Sequence, residues 1–178
     1  DFPFDPKSID ALVVTHAHLD HTGRIPKLVR DGFAGPIHMT KATCALAQLI
    51  WRDAYGIMTY DHKKFQSPIL YGEDDIAAAV RQCYGVDYHQ AIEVTENVRA
   101  VWKDAGHIFG AAFIEVAAEG KTVAFSGDIG NSNVPILRET DQLGEVNRTP
   151  CLNSSVVFLA SWSSAQTTCP STITVPFV

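Results

Sequence analysis

Residues 13 to 23 read VVTHAHLDHTG, and no other stretch constrains the fold as much: three histidines and an aspartate fall within positions 16 to 21, directly after a run of β-branched residues. Imidazoles and a carboxylate crowded into a partly buried place are costly unless positive charge compensates them, and a divalent cation compensates best. Residues 10 to 15 (DALVVT) are a Val-rich apolar run bounded by polar residues, the pattern of a buried strand. In extended backbone His16 and His18 project to the same side, as two ligands of one cation need to. Asp20 and His21 follow where the chain turns into a helix, so they point from a different angle. One strand end can therefore supply two adjacent metals, and Gly23 lets the backbone pass close by without a Cβ clash. A polar loop that collects three of the chain's seven histidines by chance is the bland alternative.

Two later stretches supply what this half-site lacks. GHIFGAA at 106 to 112 places His107 beside Gly106, at the end of an expected strand over 98 to 105. SGDIGN at 126 to 131 places Asp128 just after an expected strand over 122 to 126. Taken singly, a histidine beside glycine is a turn residue and SGD is a capping or turn element. Together with the first motif, three strand-end loops carry the candidate ligands, which is where α/β proteins assemble sites. A carboxylate such as Asp128 has two oxygens and can bridge cations held roughly 3.5–4 Å apart.

The rest of the chain reads as α/β. A helix is expected from Thr22 to Arg30, with Pro26 in its first turn, then a strand over 37 to 39. Thr40 caps a helix through Ala42, Ala45, Leu46, Leu49 and Ile50, and another helix is expected from about Asp74 to Gln82. Strands follow over 91 to 95, 98 to 102, 111 to 117 and 122 to 126, with a tight turn at Glu119-Gly120. Helices cluster early and strands late, so a layered sandwich fits better than an alternating parallel sheet. The 178 residues are 46% hydrophobic, the composition of one globular domain, and the net charge of −6 provides no global basic field for a polyanion. Cys44, Cys83, Cys151 and Cys169 lack CxxC spacing, no secretory signal peptide is expected, and no apolar run is long enough to span a membrane. A reducing, cytoplasmic location is the expectation.

THAHLDH with the following TGRIPKLVRDGFAGPI, then GHIFGAA, then SGDIGN, resembles the metallo-β-lactamase superfamily and, within it, the β-CASP branch of RNA-processing nucleases. The resemblance covers about residues 1 to 146. It implies a partial metallo-β-lactamase αββα sandwich with ligands on strand-end loops. It further implies that His16, His18 and His107 bind one zinc, that Asp20 and His21 bind a second, and that Asp128 bridges them. Asp20 is then also the residue that orients or deprotonates the attacking water, and RNA is the substrate. Other hydrolases of this fold, acting on a thioester, a lactone or a small phosphodiester, and an inactive pseudo-nuclease subunit are the alternatives.

The family pattern has strands before the segment that starts at Asp1, and after SGDIGN an acidic-Ser-Thr-Tyr-Gly motif, an inserted domain and a late histidine ligand. From about Asn147 this chain instead reads NRTPCLNSSVVFLASWSSAQTTCPSTITVPFV. Residues 147 to 178 are therefore expected to be a linker or an aberrant terminus, with VVFLA at 156 to 160 as a weak strand signal and a reading-frame change near 146 as one possible origin. The chain is read as part of a longer protein and its turnover in isolation as weak. His38, His62 and His89 are read as surface or satisfied histidines, and Trp51, Tyr55, Tyr60 and Phe65 as core or interdomain packing. Arg24, Lys27 and Arg30 are read as solvated charges on the helix beyond the metal loop.

Overall fold

The computed structural model describes residues 1–145 and the strand Val156–Leu159. The first strand, β1 (Ala11–Val14), is buried at every position. Its alternation decides the layering: Leu12 and Val14 face a core shared with helices, while Ala11 and Val13 face a second sheet. A strand buried on both faces has no solvent side for polar residues, which is why DALVVT reads as a continuous apolar run.

β1 lies in a four-stranded sheet of order β3-β2-β1-β8. β2 (Ile37–Thr40) runs parallel to β1, β3 (Cys83–Val86) parallel to β2, and β8 (Val156–Leu159) antiparallel to β1. The second sheet, β4 (Ala91–Thr95), β5 (Val98–Asp104), β6 (Ala112–Ala118) and β7 (Lys121–Phe125), is an antiparallel meander. Its turn between β6 and β7 falls at Glu119-Gly120, both with positive φ (49° and 70°), as a tight hairpin requires. Between the sheets Trp102, Ile114, Val116 and Phe125 pack on Ala11 and Val13. The fold class is α/β, and the described residues form a helix–sheet–sheet stack consistent with a partial metallo-β-lactamase fold.

The helical layer is more broken at its start and longer afterwards than the sequence suggests. The expected helix over 22 to 30 is two pieces, α1 (Leu19–Thr22) and α2 (Ile25–Arg30), with Pro26 in the first turn of the second. Gly23 ends α1, and a Cβ there would lie 2.5 Å from the Leu19 carbonyl oxygen, so the tight approach at this glycine is to its own helix turn. Thr40 caps α3 (Lys41–Phe65) through its hydroxyl, which accepts from the Thr43 N–H, but the helix runs on fifteen residues past Ile50. α4 (Glu73–Gln82) opens with Asp75 accepting from the Gly72 N–H. The strand β3 is an addition: Cys83-Tyr84-Gly85-Val86 follows the helix with no turn residue to announce it. The tail's weak strand signal is present as β8, paired with β1; the remainder of 147 to 178 lies outside the described residues.

Trp51 is fully buried and donates from Nε1 to the Thr22 carbonyl (3.0 Å), so it is core as expected, with Tyr55 packed partly beside it. Tyr60 and Phe65 are not: they stand 60% and 62% exposed, on the part of α3 past Met58, the last of its side chains packed on the core. Arg24 lies over the Phe2 ring, Lys27 pairs with Asp31, and Arg30 donates to the Leu70 carbonyl. No helix among the described residues is long and apolar enough to cross a membrane.

Candidate metal centre

The strand ends at Val14, earlier than the run DALVVT suggests, and His16 to His18 are in irregular backbone. The two imidazoles converge through a bend at Thr15, then, and not through the pleat of a strand. Two contacts fix that bend. Trp102 Nε1 donates to the Val14 carbonyl (3.1 Å), and the Ala112 N–H donates to the Thr15 carbonyl (2.9 Å), so the strand end is held against β5 and the first residue of β6. α1 then begins at Leu19 with His18 as its N-cap, which turns His21 back toward His16; their ring centroids are 4.2 Å apart.

The loop carrying His107 leaves β5 after Asp104 and the loop carrying Asp128 leaves β7 after Phe125. They are joined backbone to backbone: the Gly130 N–H donates to the Ala105 carbonyl (2.9 Å). A Cβ on Gly130 would sit 1.7 Å from the Gly106 carbonyl oxygen, so the approach admits only glycine. On its far side the His107 loop is gripped at the start of α3, where the hydroxyls of the cap residue Thr40 and of Thr43 both donate to the Gly110 carbonyl (2.7 and 2.9 Å).

These connections bring four of the candidate ligands into one place. Ligand atoms of His16, His18, His107 and Asp128 all lie within 4.8 Å of one another. Asp128 Oδ2 is the hub, 3.6 Å from His16 Nε2, 3.5 Å from His21 Nε2 and 3.5 Å from His107 Nε2. His18 Nδ1 and His107 Nε2 approach to 3.2 Å, a separation at which two ring nitrogens share one proton or turn both lone pairs to a cation. Asp20 stands apart from this group of four: its side chain is 79% exposed and, among the described residues, it reaches His21 Nε2 at 3.2 Å. His21 therefore faces both carboxylates and is the natural link to a second cation position.

The donor set fits divalent metal on an observation independent of spacing. His16 Nε2, the ring nitrogen that faces Asp128, is buried and has no hydrogen-bond partner among the described residues, an arrangement that is costly unless something electron-poor meets it. His16 Nδ1 lies 3.1 Å from Thr15 Oγ1; with the proton on Nδ1 and donated there, the Nε2 lone pair is left facing Asp128. Burial first, and the neighbouring His21 next, push the His16 imidazole down to about 3 from its ordinary 6.5, which keeps it in the neutral, ligating form.

That shift has a consequence for stability. The unfolded chain takes up a proton at His16 below about pH 6.5, whereas the folded chain, with this imidazole at about 3, does not. In the chelator-treated protein the His16 contribution is complete above pH 6.5 and is lost as pH falls toward 3. Urea midpoints at pH 7.5 and 5 are expected to fall more in the native sequence than in His16→Gln. Equal falls in the two would show that the imidazole is not held neutral by the fold.

The other histidines divide. His62 Nδ1 contacts the Ser67 carbonyl oxygen at 2.7 Å and His89 Nε2 lies 3.4 Å from Asp141, both satisfied as expected. His38 departs from that expectation: it is half-buried between the sheets near Tyr84 and Trp102, and neither ring nitrogen has a partner among the described residues. Burial lowers its pKa. A residue on the inward face of a strand loses water whatever its polarity, and its place in IHMT carries no ligand spacing to mark it. Of the threonines that hold the site from behind, Thr40 is marked in the sequence only as a helix cap, and Thr15 and Thr43 do not stand out; a threonine beside a motif carries no signal of such a role until its hydroxyl's partner is known.

The model of the metallo-beta-lactamase superfamily matches residues 2–101 of the chain. The chain belongs to this superfamily. Among its relatives, Ribonuclease TTHA0252 of Thermus thermophilus is 37% identical over 136 residues, which are 76% of this chain and 30% of that protein. An RNase J-like protein of Methanocaldococcus jannaschii is 33% identical over 141 residues, 77% of this chain and 30% of the relative. The cleavage and polyadenylation specificity factor subunit 3-I of Arabidopsis thaliana is 30% identical over 163 residues, 91% of this chain and 22% of the relative. These relatives support the β-CASP RNA-processing branch that the motif wording resembles. This metallo-beta-lactamase chain spans less than a third of the length of each of the three. His107 and Asp128 lie beyond the residues 2–101 that the family model matches, and the structure brings both to the histidine motif.

Proposed function

We propose that the chain forms the metal-binding part of a metal-dependent ribonuclease that cleaves RNA phosphodiesters. The observation that carries this reading is the meeting of His16, His18, His107 and Asp128 within 4.8 Å around a buried, unpartnered imidazole nitrogen. In it, His16, His18 and His107 would hold one zinc, His21 and Asp20 a second, and Asp128 both. Divalent cations so bound supply Lewis acidity and neutralise charge on phosphoryl oxygens, the chemistry that hydrolysis of a polyanion needs most.

The protein's own groups do the rest. Asp20, exposed at the rim and 3.2 Å from His21, is positioned to orient a water molecule and accept its proton at a carboxylate oxygen. His16, sealed from solvent, keeps its lone pair aimed at Asp128 while Thr15 fixes the ring. The net charge of −6 argues that RNA is gripped locally and not by a global field. Names of relatives favour RNA over acyl esters: Ribonuclease TTHA0252 and an endoribonuclease of Kluyveromyces lactis are among them.

The test compares hydrolysis of single-stranded RNA, a thioester and a lactone by the protein that carries these residues, in zinc and in manganese. RNA cleavage with inert acyl substrates is expected. His18→Ala is expected to cut the RNA rate by at least about 100-fold, with RNA binding retained, because a ligand loss exceeds the effect of losing a supporting contact. Turnover of the acyl substrates without RNA cleavage would replace this reading with that of a thioesterase or lactonase.

A further inference from the structure

Cys44 and Cys83 lie 39 positions apart in sequence but on facing sides of α3 and β3. The placement follows from one close contact. A Cβ on Gly85 would lie 3.3 Å from Lys41 Cα, so the first turn of α3 rests on β3 at that point. From Gly85, Cys83 is two residues back on the same face of the strand; from Lys41, Cys44 is one helical turn on, on the same face of the helix. Thr40 ends β2, which runs parallel to β3, and the helix then turns back along the sheet; both steps therefore lead the same way and bring the two thiols together. Both side chains pack against the one core between helices and sheet, both are half-buried, and neither is in a disulfide.

We infer that Cys44 and Cys83 are a reversible modification site, a thiol pair that hydrogen peroxide converts to an intramolecular disulfide linking α3 to β3. The Cys83 thiol donates to the Ala79 carbonyl (3.3 Å), which keeps its proton in place, and the nearness of the two thiols lowers the Cys44 pKa while it and burial raise that of Cys83. Cys44 is accordingly the attacking sulfur, since the thiolate is the nucleophile. Its thiolate attacks one peroxide oxygen, the O–O bond breaks, and with one proton taken up a water leaves, giving a sulfenic acid at Cys44. The Cys83 sulfur then attacks Cys44 Sγ, the S–O bond breaks, and the departing hydroxide takes the Cys83 proton as a second water. Two thiols are oxidised by two electrons and one peroxide becomes two waters.

The link bears on the metal centre through one element. The helix turn that carries Cys44 also carries Thr43, and with Thr40 it grips the Gly110 carbonyl of the His107 loop. Tying that turn to β3 fixes the backing of the loop and leaves the ligands untouched.

The experiment uses the full chain with Cys151 and Cys169 replaced by serine, treated with hydrogen peroxide and examined by intact mass and peptide mapping. The expected result is a loss of about 2 Da, the two thiol hydrogens, with one peptide pair joined through Cys44 and Cys83 and restored by dithiothreitol. Cys44→Ser and Cys83→Ser in the same background are expected to show no such loss. Unchanged mass, added oxygen at either cysteine without a link, or a link between two copies of the chain would overturn the inference.

Discussion

Replacing Asp128 with alanine is expected to lower divalent-cation affinity by at least about 100-fold while leaving the fold in place, since even a supporting contact is worth 10- to 100-fold. The carboxylate lies within 3.6 Å of three imidazoles and is the negative group at the centre of the site. Without it His16, His18 and His107 would have to hold a dication with no charge to offset it, and neutral nitrogen donors alone bind more weakly than a set that includes an anion. Asp128 is on a surface loop and makes no core contact, so secondary structure is expected to be unchanged. Titration calorimetry with zinc, beside circular dichroism of the same sample, checks both halves. Affinity within a few-fold of the native protein would mean that the hub seen in the geometry is not the hub in binding. Asp128→Asn separates charge from shape: an amide keeps the size and one oxygen, and is expected to fall nearly as far.

The second large effect is expected at a residue with no functional group. Gly130→Ala forces a methyl to within 1.7 Å of the Gly106 carbonyl, a distance no rotamer relieves because both partners are backbone. The loops at 105–107 and 128–130 must then separate, breaking the hydrogen bond from the Gly130 N–H to the Ala105 carbonyl. Overpacking of this kind costs roughly 1–3 kcal/mol in stability. The cost to the site is larger in proportion, because His107 and Asp128 ride on the two loops that are pushed apart, and a small displacement of ligands is strongly felt. Zinc affinity is expected to fall by about 10- to 100-fold although every ligand is still present. A variant that keeps native affinity would show that the loops do not depend on this contact for their spacing.

The chemistry of the site is legible in one dimension. His16, His18 and His21 announce themselves because imidazoles crowded so closely beside a buried strand are costly unless a cation meets them. His107 and Asp128 are legible only by association, through glycines at strand ends, and the structure places both beside the motif. Asp20 belongs to the same motif but sits at the rim, since α1 begins at Leu19 and carries it outward. Less of the framework is legible. The run DALVVT reads as extended to Thr15, yet the strand stops at Val14 because Thr15 must bend to present His16. The helix read from the sequence ends at Ile50; past Met58, the last of its side chains packed on the core, α3 is held by its own hydrogen bonds up to the positive-φ stop at Gln66. β3 escapes a reading from sequence because its residues owe their strand conformation to pairing with β2 and to no local preference.

Which atoms can bind metal, and that they follow buried strands, was set by residue type and period-two burial, properties each short segment carries with it. Where those atoms meet was decided by contacts between segments far apart in the chain: Trp102 on the Val14 carbonyl, Ala112 on Thr15, Gly130 against Gly106, Thr40 and Thr43 on Gly110. Local sequence cannot encode such distances, because each depends on the packing of two sheets and a helix whose relative positions exist only once the core has closed.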